Sequence, residues 1–186
     1  MRHVNKYFFG IIVSAFLIVM ILLISGSSNN SYKNKPLASS YSNNNSYAEL
    51  YVRSPITSQA SHIEFAIIVS PASVTFNSYQ GYDGQILSTK SYSNTSNSYY
   101  NFLKALDSVG FMNSDTNISS PVGHCAFGVT YQYQLYNDSN KIQDSWSSSC
   151  NANDTYKGLP LKTFELFKTQ VPDYRALTDN LDITTY

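Results

Sequence analysis

Charge is scarce in this sequence. Asp, Glu, Lys and Arg make up 13% of its 186 residues, roughly half the usual share in a soluble protein. Cysteine is limited to two residues and tryptophan to one. No G-x-S-x-G elbow, phosphate-cradling Gly loop, H-E-x-x-H pair or EF-hand loop is present, so the function classes that announce themselves through those motifs are not indicated. Two cysteines are too few for a dense disulfide framework or an all-cysteine zinc site. A basic patch is missing too. From Glu49 onward eight Lys/Arg face twelve Asp/Glu, a net of −4, and without phosphate-neutralising cations nucleic acid is not an expected partner.

What the chain has instead is one long apolar run. Residues 8–24, FFGIIVSAFLIVMILLI, contain no charge and follow Arg2 and Lys6. Seventeen to nineteen helical residues at 1.5 Å rise span about 25–29 Å, close to a bilayer core. The expected layout is a cytoplasmic basic flank at 1–6 and a transmembrane signal-anchor at 7–25. The C-terminal bulk then lies outside a plasma membrane, because basic flanks stay in the cytoplasm. A cleaved signal ending near Ser25-Gly26-Ser27 is the alternative, and the domain would then be secreted. Residues 26–48 hold seven Ser, six Asn and three Tyr without an apolar face. They read as a disordered stalk, since such a segment buries too little to offset its ordering entropy.

The remainder, 49–186, carries the periodicities of an extracytoplasmic domain. In HIEFAIIVS, residues Ile63, Phe65, Ile67 and Val69 share one strand face. Ala72–Tyr79 and Gln85–Tyr92 flank Gly81-Tyr82-Asp83-Gly84, a hairpin turn. Tyr99, Phe102, Leu103, Leu106 and Val109 form a helical stripe, with a cap among Ser96, Asn97 and Ser98 and Gly110 placed to end it. Pro160 opens a second helix with Leu161, Phe164, Phe167 and Val171 on its apolar edge. Pro172 ends that helix, and Asp173 caps a short third carrying Tyr174, Leu177 and Leu181. These helices either pack on the sheet or expose a face to a partner. The fold expected is α+β: an antiparallel sheet of four to six strands with two or three helices packed on one face, preceded by a single transmembrane helix.

Both cysteines bound one alternating stretch, HCAFGVTYQYQLYNDSNKIQDSWSSSC. Cys125, Phe127, Val129, Tyr131, Tyr133 and Leu135 alternate with polar or small residues. A two-residue turn at Asn137-Asp138 would set Tyr136 against Ser139, Trp146 against Val129, Ile142 against Tyr133 and Cys125 against Cys150. Opposed strand residues lie within disulfide reach. A Cys125–Cys150 disulfide is therefore expected; the alternative is a redox or metal-binding thiol pair with His62 and His124 as further ligands.

No catalytic residue, metal site or cofactor is assigned. Asp144 and the two domain histidines read as structural. Anchor, stalk, low charge and 16 Tyr point to a non-catalytic binding or adhesion module of the cell surface, with an envelope protein or cell-wall polymer as partner. The alternatives are an accessory structural subunit of an envelope complex, whose anchor makes the contacts, and an envelope hydrolase with a cleft of convergent polar groups. Oligomeric state and ligand are not legible. The apolar anchor, the polar stalk, CAFGVTYQYQLY, WSSSC and the ending LFKTQVPDY together resemble small exported proteins of Saccharibacteria and related candidate-phylum bacteria. That resemblance covers about residues 63–177. It implies an envelope location and paired cysteines, and carries over no catalytic or binding residue.

Overall fold

Ser46–Arg53 (β1) alternates buried Ala48, Leu50 and Val52 with half-buried Tyr47, Glu49, Tyr51 and Arg53, the period-2 pattern of a strand with two unlike faces. It runs through the interior of an antiparallel sheet of six strands in the order β4-β3-β2-β1-β5-β6. The others are Ile63–Val69 (β2), Ser73–Gln80 (β3), Gln85–Ser93 (β4), Thr130–Asn137 (β5) and Asn140–Ser148 (β6). The computed structural model describes residues 35–115, 120–150, 154–179 and 181. The basic flank and the anchor expected over 7–25 lie outside them. Among the described residues, no helix is long and apolar enough to cross a membrane.

Register decides which side chains meet. Ala48, Leu50 and Val52 stand opposite Val69, Ile67 and Phe65 on one side, and opposite Leu135, Tyr133 and Tyr131 on the other. Val74 and Phe76 of β3 continue the same face. Ser96–Ser108 (α1), Pro160–Lys168 (α2) and Tyr174–Thr178 (α3) bury Tyr99, Phe102, Leu103, Leu106, Phe164, Phe167 and Tyr174 in the same core. The aromatic rings meet edge-on, Phe102 with Phe167 at 5.1 Å and Tyr131 with Phe164 at 5.7 Å between centroids, the geometry favoured by ring quadrupoles. Burying each such side chain contributes about 1.5–3 kcal/mol. The expected α+β arrangement, with the helices on one face of an antiparallel sheet, is what forms.

Local signals end the elements where their chemistry requires. Thr95, one residue before the expected caps, accepts the Ser98 amide at 3.1 Å. Gly110 takes φ +76°, and Phe111 donates its amide back to Leu106 at 3.1 Å, closing a Schellman turn that needs a residue tolerant of positive φ. Gly81 and Gly84, at φ +71° and +69°, make the expected turn between β3 and β4. Pro160 fills the first turn of α2. Leu161 does not join the buried edge; it is 53% exposed.

Three expectations need correction. The stalk does not extend to residue 48: Ala38–Tyr41 forms a 3-10 turn and β1 begins at Ser46. This polar stretch is ordered by hydrogen bonds together with a few buried apolar anchors, Ala38 in the core and Tyr41 against it. Asp107 accepts the Ala38 and Ser39 amides, and Asn43 and Asn45 pair with Asn137 and Asp138. The β5–β6 hairpin turns one residue later than expected, at Asp138-Ser139, with Asp138 at φ +53° and Asn137 opposite Asn140. A bulge then intervenes, because Tyr136 pairs with Lys141 while Leu135 pairs with Gln143. Ile142 is the extra residue, and every residue beyond it changes face. Trp146 therefore stands opposite Gln132 rather than Val129, on the side away from the helices.

Candidate functional site

The helices cover one face of the sheet, and the other collects a different set of residues. Reading across by register, one row is Tyr79, Glu64, Arg53 and Thr130. The next is Asn77, Ala66, Tyr51, Gln132 and Trp146, followed by Thr75, Ile68, Glu49, Gln134 and Asp144. Tyr47, Tyr136 and Lys141 finish it. Tyrosines, amides and carboxylates dominate this open face. Tyr47 and Tyr136 stack at 4.6 Å, and Tyr51 lies 5.8 Å from Tyr79.

Its three carboxylates have unlike surroundings. Asp144 takes Gln132 Nε2 at 2.8 Å and Gln134 Nε2 at 3.0 Å on one oxygen, and Lys141 Nζ at 2.9 Å on the other. Burial alone would raise its pKa, but these donors outweigh burial and hold it below the ordinary carboxylate value. Glu64 is bonded by the Tyr51 hydroxyl, by Arg53 Nε at 3.2 Å and by His62 Nε2 at 3.2 Å. Burial, then the bond to Glu64, pushes the Tyr51 phenol well above its usual value. Glu49, on the interior strand, differs. Among the described residues it accepts no hydrogen bond and makes no ion pair, and burial raises its pKa while the longer-range field of Lys141 only partly opposes this.

At one rim the fold assembles a chain of polar groups that sequence reading could not. Ser54 Oγ lies 3.2 Å from His62 Nδ1, and His62 Nε2 lies 3.2 Å from Glu64. The order Ser-His-Glu is that of a nucleophile relay. Nδ1 is also 3.2 Å from the Pro55 carbonyl, and Ser54 Oγ accepts the Ile63 amide at 3.3 Å. Nδ1 is thus shared between a carbonyl, which needs a proton on it, and Ser54, which as a nucleophile would need it bare. The imidazole also stacks on Tyr82 at 4.1 Å, and Tyr82 in turn bonds Thr57, so the group ties two loops together.

The cysteines meet as expected, by a different route. Cys125 and Cys150 form a disulfide with Cα atoms 5.8 Å apart, yet neither lies in a strand: Cys125 precedes β5 and Cys150 follows β6. The staple joins the two ends of the hairpin and holds the 121–128 loop over the open face. There His124 stacks on Trp146 at 5.3 Å between centroids, and Trp146 is 2% exposed. Phe127, expected on the core face, is 95% exposed in this loop. Gly128 is required by close approach, since a methyl group there would lie 2.5 Å from Cys125 Sγ and also clash with Ser149 Oγ. With both sulfurs in the bond neither is a free thiol to ligate a metal, and His62 and His124 lie in separate clusters. The disulfide indicates an oxidising, extracytoplasmic compartment.

Asp144 shares the open face with Trp146 as a paired acid. Sequence reasoning missed Tyr47, Glu49, Tyr51 and Arg53 because it began the domain at Glu49 and assigned no strand there; the alternation of Ala48, Leu50 and Val52 was the available signal. Compared with known proteins, the chain matches no family model and no curated relative.

Proposed function

We propose that this chain is a membrane-anchored, non-catalytic binding module that holds a cell-envelope polymer on the open face of its sheet. The observation that carries this reading is the division of the sheet: helices fill one face, while the other presents tyrosines, amides and carboxylates around an interior strand. Tyrosine combines an apolar ring with a polar tip, which suits adaptable contacts. The apolar run at residues 8–24 supplies a single-pass anchor with its basic flank in the cytoplasm, and the disulfide agrees with a domain held outside.

Co-sedimentation of the full chain, in detergent micelles, with isolated envelope material tests the reading. Wild-type protein should sediment with it, and a Tyr47→Ala/Tyr136→Ala variant should lose most of that binding. Equal retention of both would remove the open face from the function. Swapping residues 8–24 for an unrelated spanning helix should leave binding intact; loss would favour the accessory-subunit reading, in which the anchor makes the contacts.

The Ser54–His62–Glu64 chain favours a second reading, an envelope hydrolase. It requires Ser54 to react with a serine-directed fluorophosphonate, with the labelling abolished in His62→Gln. The shared Nδ1 and the amide already held by Ser54 weigh against it.

A further inference from the structure

Charge on the open face is matched except at one residue. By register it bears Glu49, Glu64 and Asp144 against Arg53 and Lys141, a net of −1. Arg53 is committed to Glu64 and Lys141 to Asp144. Glu49 has no such partner among the described residues. It stands on interior β1 between Ile68 and Gln134, with Tyr47 and Tyr51 two residues away on the same face. Same-face neighbours along a strand are about 6.6 Å apart, so the Glu49 side chain leaves the strand between those of Tyr47 and Tyr51. Tyr136 stacks on the first and Tyr79 lies beside the second.

A carboxylate flanked by aromatic residues and bonded to no cation is complementary to an ammonium group, which pairs with the negative charge while its N–H and C–H bonds meet the π faces. We propose that Glu49, with Tyr47 and Tyr51, anchors a primary ammonium group carried by a glycan lying across the open face. This rests on the binding-module reading and names the ligand class for the same surface. The partial burial of Glu49 fits it, since a bound cation would compensate the charge that burial disfavours.

The surroundings favour a sugar polymer over a protein as carrier of the amine. Six strands about 4.8 Å apart and about eight residues long at about 3.3 Å each give a platform of roughly 24 by 26 Å. The 121–128 loop occupies its Trp146 corner. What remains is smaller than the patch of about 800 Å² per partner in a standard protein interface, but ample for one polysaccharide chain. Thr75, Asn77 and Gln132 on the same face offer the donors and acceptors that sugar hydroxyls use, and the tyrosine rings offer faces for sugar C–H groups.

The test titrates full-length protein in lipid nanodiscs with a glucosamine hexamer, its N-acetylated counterpart and a pentalysine peptide, at a mildly acidic pH that keeps the glucosamine amines protonated and Glu49 ionised. The glucosamine hexamer should bind roughly tenfold more tightly than the acetylated one, the order expected of one aromatic-flanked charge pair. In Glu49→Gln that preference should vanish. Equal binding of both sugars by wild type, or a preference that survives Glu49→Gln, overturns the proposal. Glu49-dependent binding of pentalysine above that of the hexamer overturns the glycan as carrier. If envelope binding depends on Tyr47 and Tyr136 but not on Glu49, the binding module stands and the amine anchor falls; dependence on neither removes both.

Discussion

Asp107 in α1 accepts the backbone amide of Ala38 at 2.6 Å, across 69 residues of chain. Its second oxygen accepts the Ser39 amide at 3.1 Å, so one carboxylate docks the segment before β1 onto the helix layer. Hydrogen bonds to a charged group contribute about 1.5–3 kcal/mol each. Asp107→Ala removes two such bonds and should therefore destabilise the fold by about 3 kcal/mol or more, read as a lower urea midpoint. Protection of the Ala38 and Ser39 amides from hydrogen exchange should fall further than that of the sheet. Unchanged exchange at those amides would refute the docking role.

Glu49 should cost stability in the absence of ligand. Burial raises its pKa, so between the ordinary and the raised value the folded chain holds a proton that the unfolded chain has released. Stability falls as pH rises through that window, and the loss is complete above it. Glu49→Gln should then melt above wild type at neutral pH and close to it below about pH 4. A variant that is more stable yet blind to the amine separates ligand binding from packing. Thermal melts across pH supply the comparison, and a Gln variant less stable than wild type at neutral pH would contradict it.

Asp144 should behave in the opposite sense. Three donors hold its pKa down against burial, so its contribution is complete above the ordinary carboxylate pKa and is lost as pH falls through the lowered value. Asp144→Asn should lower stability at neutral pH and flatten the acid limb of the same melting profile. An acid limb identical to wild type would show that other groups set it.

The disulfide closes a sequence separation of 25 residues. Loop-closure entropy assigns such a staple about 3.5 kcal/mol, so Cys125→Ser/Cys150→Ser should unfold at correspondingly lower denaturant. Gly128→Ala should weaken the same staple, because its methyl meets Cys125 Sγ and Ser149 Oγ. Titration of free thiols in protein exported to an oxidising compartment should find wild type fully bonded and the alanine variant partly reduced. Full bonding in the variant would mean that the loop relaxes at little cost.

Elements whose signals are local were legible in the chain. The β3–β4 turn is set by two glycines that tolerate positive φ, α1 by a five-residue apolar stripe with Gly110 behind it, and α2 by Pro160 at its start. The disulfide was legible too, although by an argument whose register was wrong. An Asn-Asp-Ser run can turn at either of two residue pairs, and nothing near Ile142 announces a bulge. One extra residue there exchanges the faces of Gln143, Asp144, Ser145 and Trp146, because strand side chains alternate with period two.

The sequence by itself determined the antiparallel α+β class, the hairpins, the helices and the cysteine pairing, since each follows from patterns a few residues long. Tertiary structure alone decided that the strand carrying Ala48, Leu50 and Val52 lies in the sheet interior, that Trp146 leaves the core, and that Ser54, His62 and Glu64 meet. It also left Glu49 as the unmatched carboxylate of the open face. Those outcomes depend on which strands become neighbours and in what register, and pairing between distant segments is fixed by the collective packing of the core rather than by any one segment's preference.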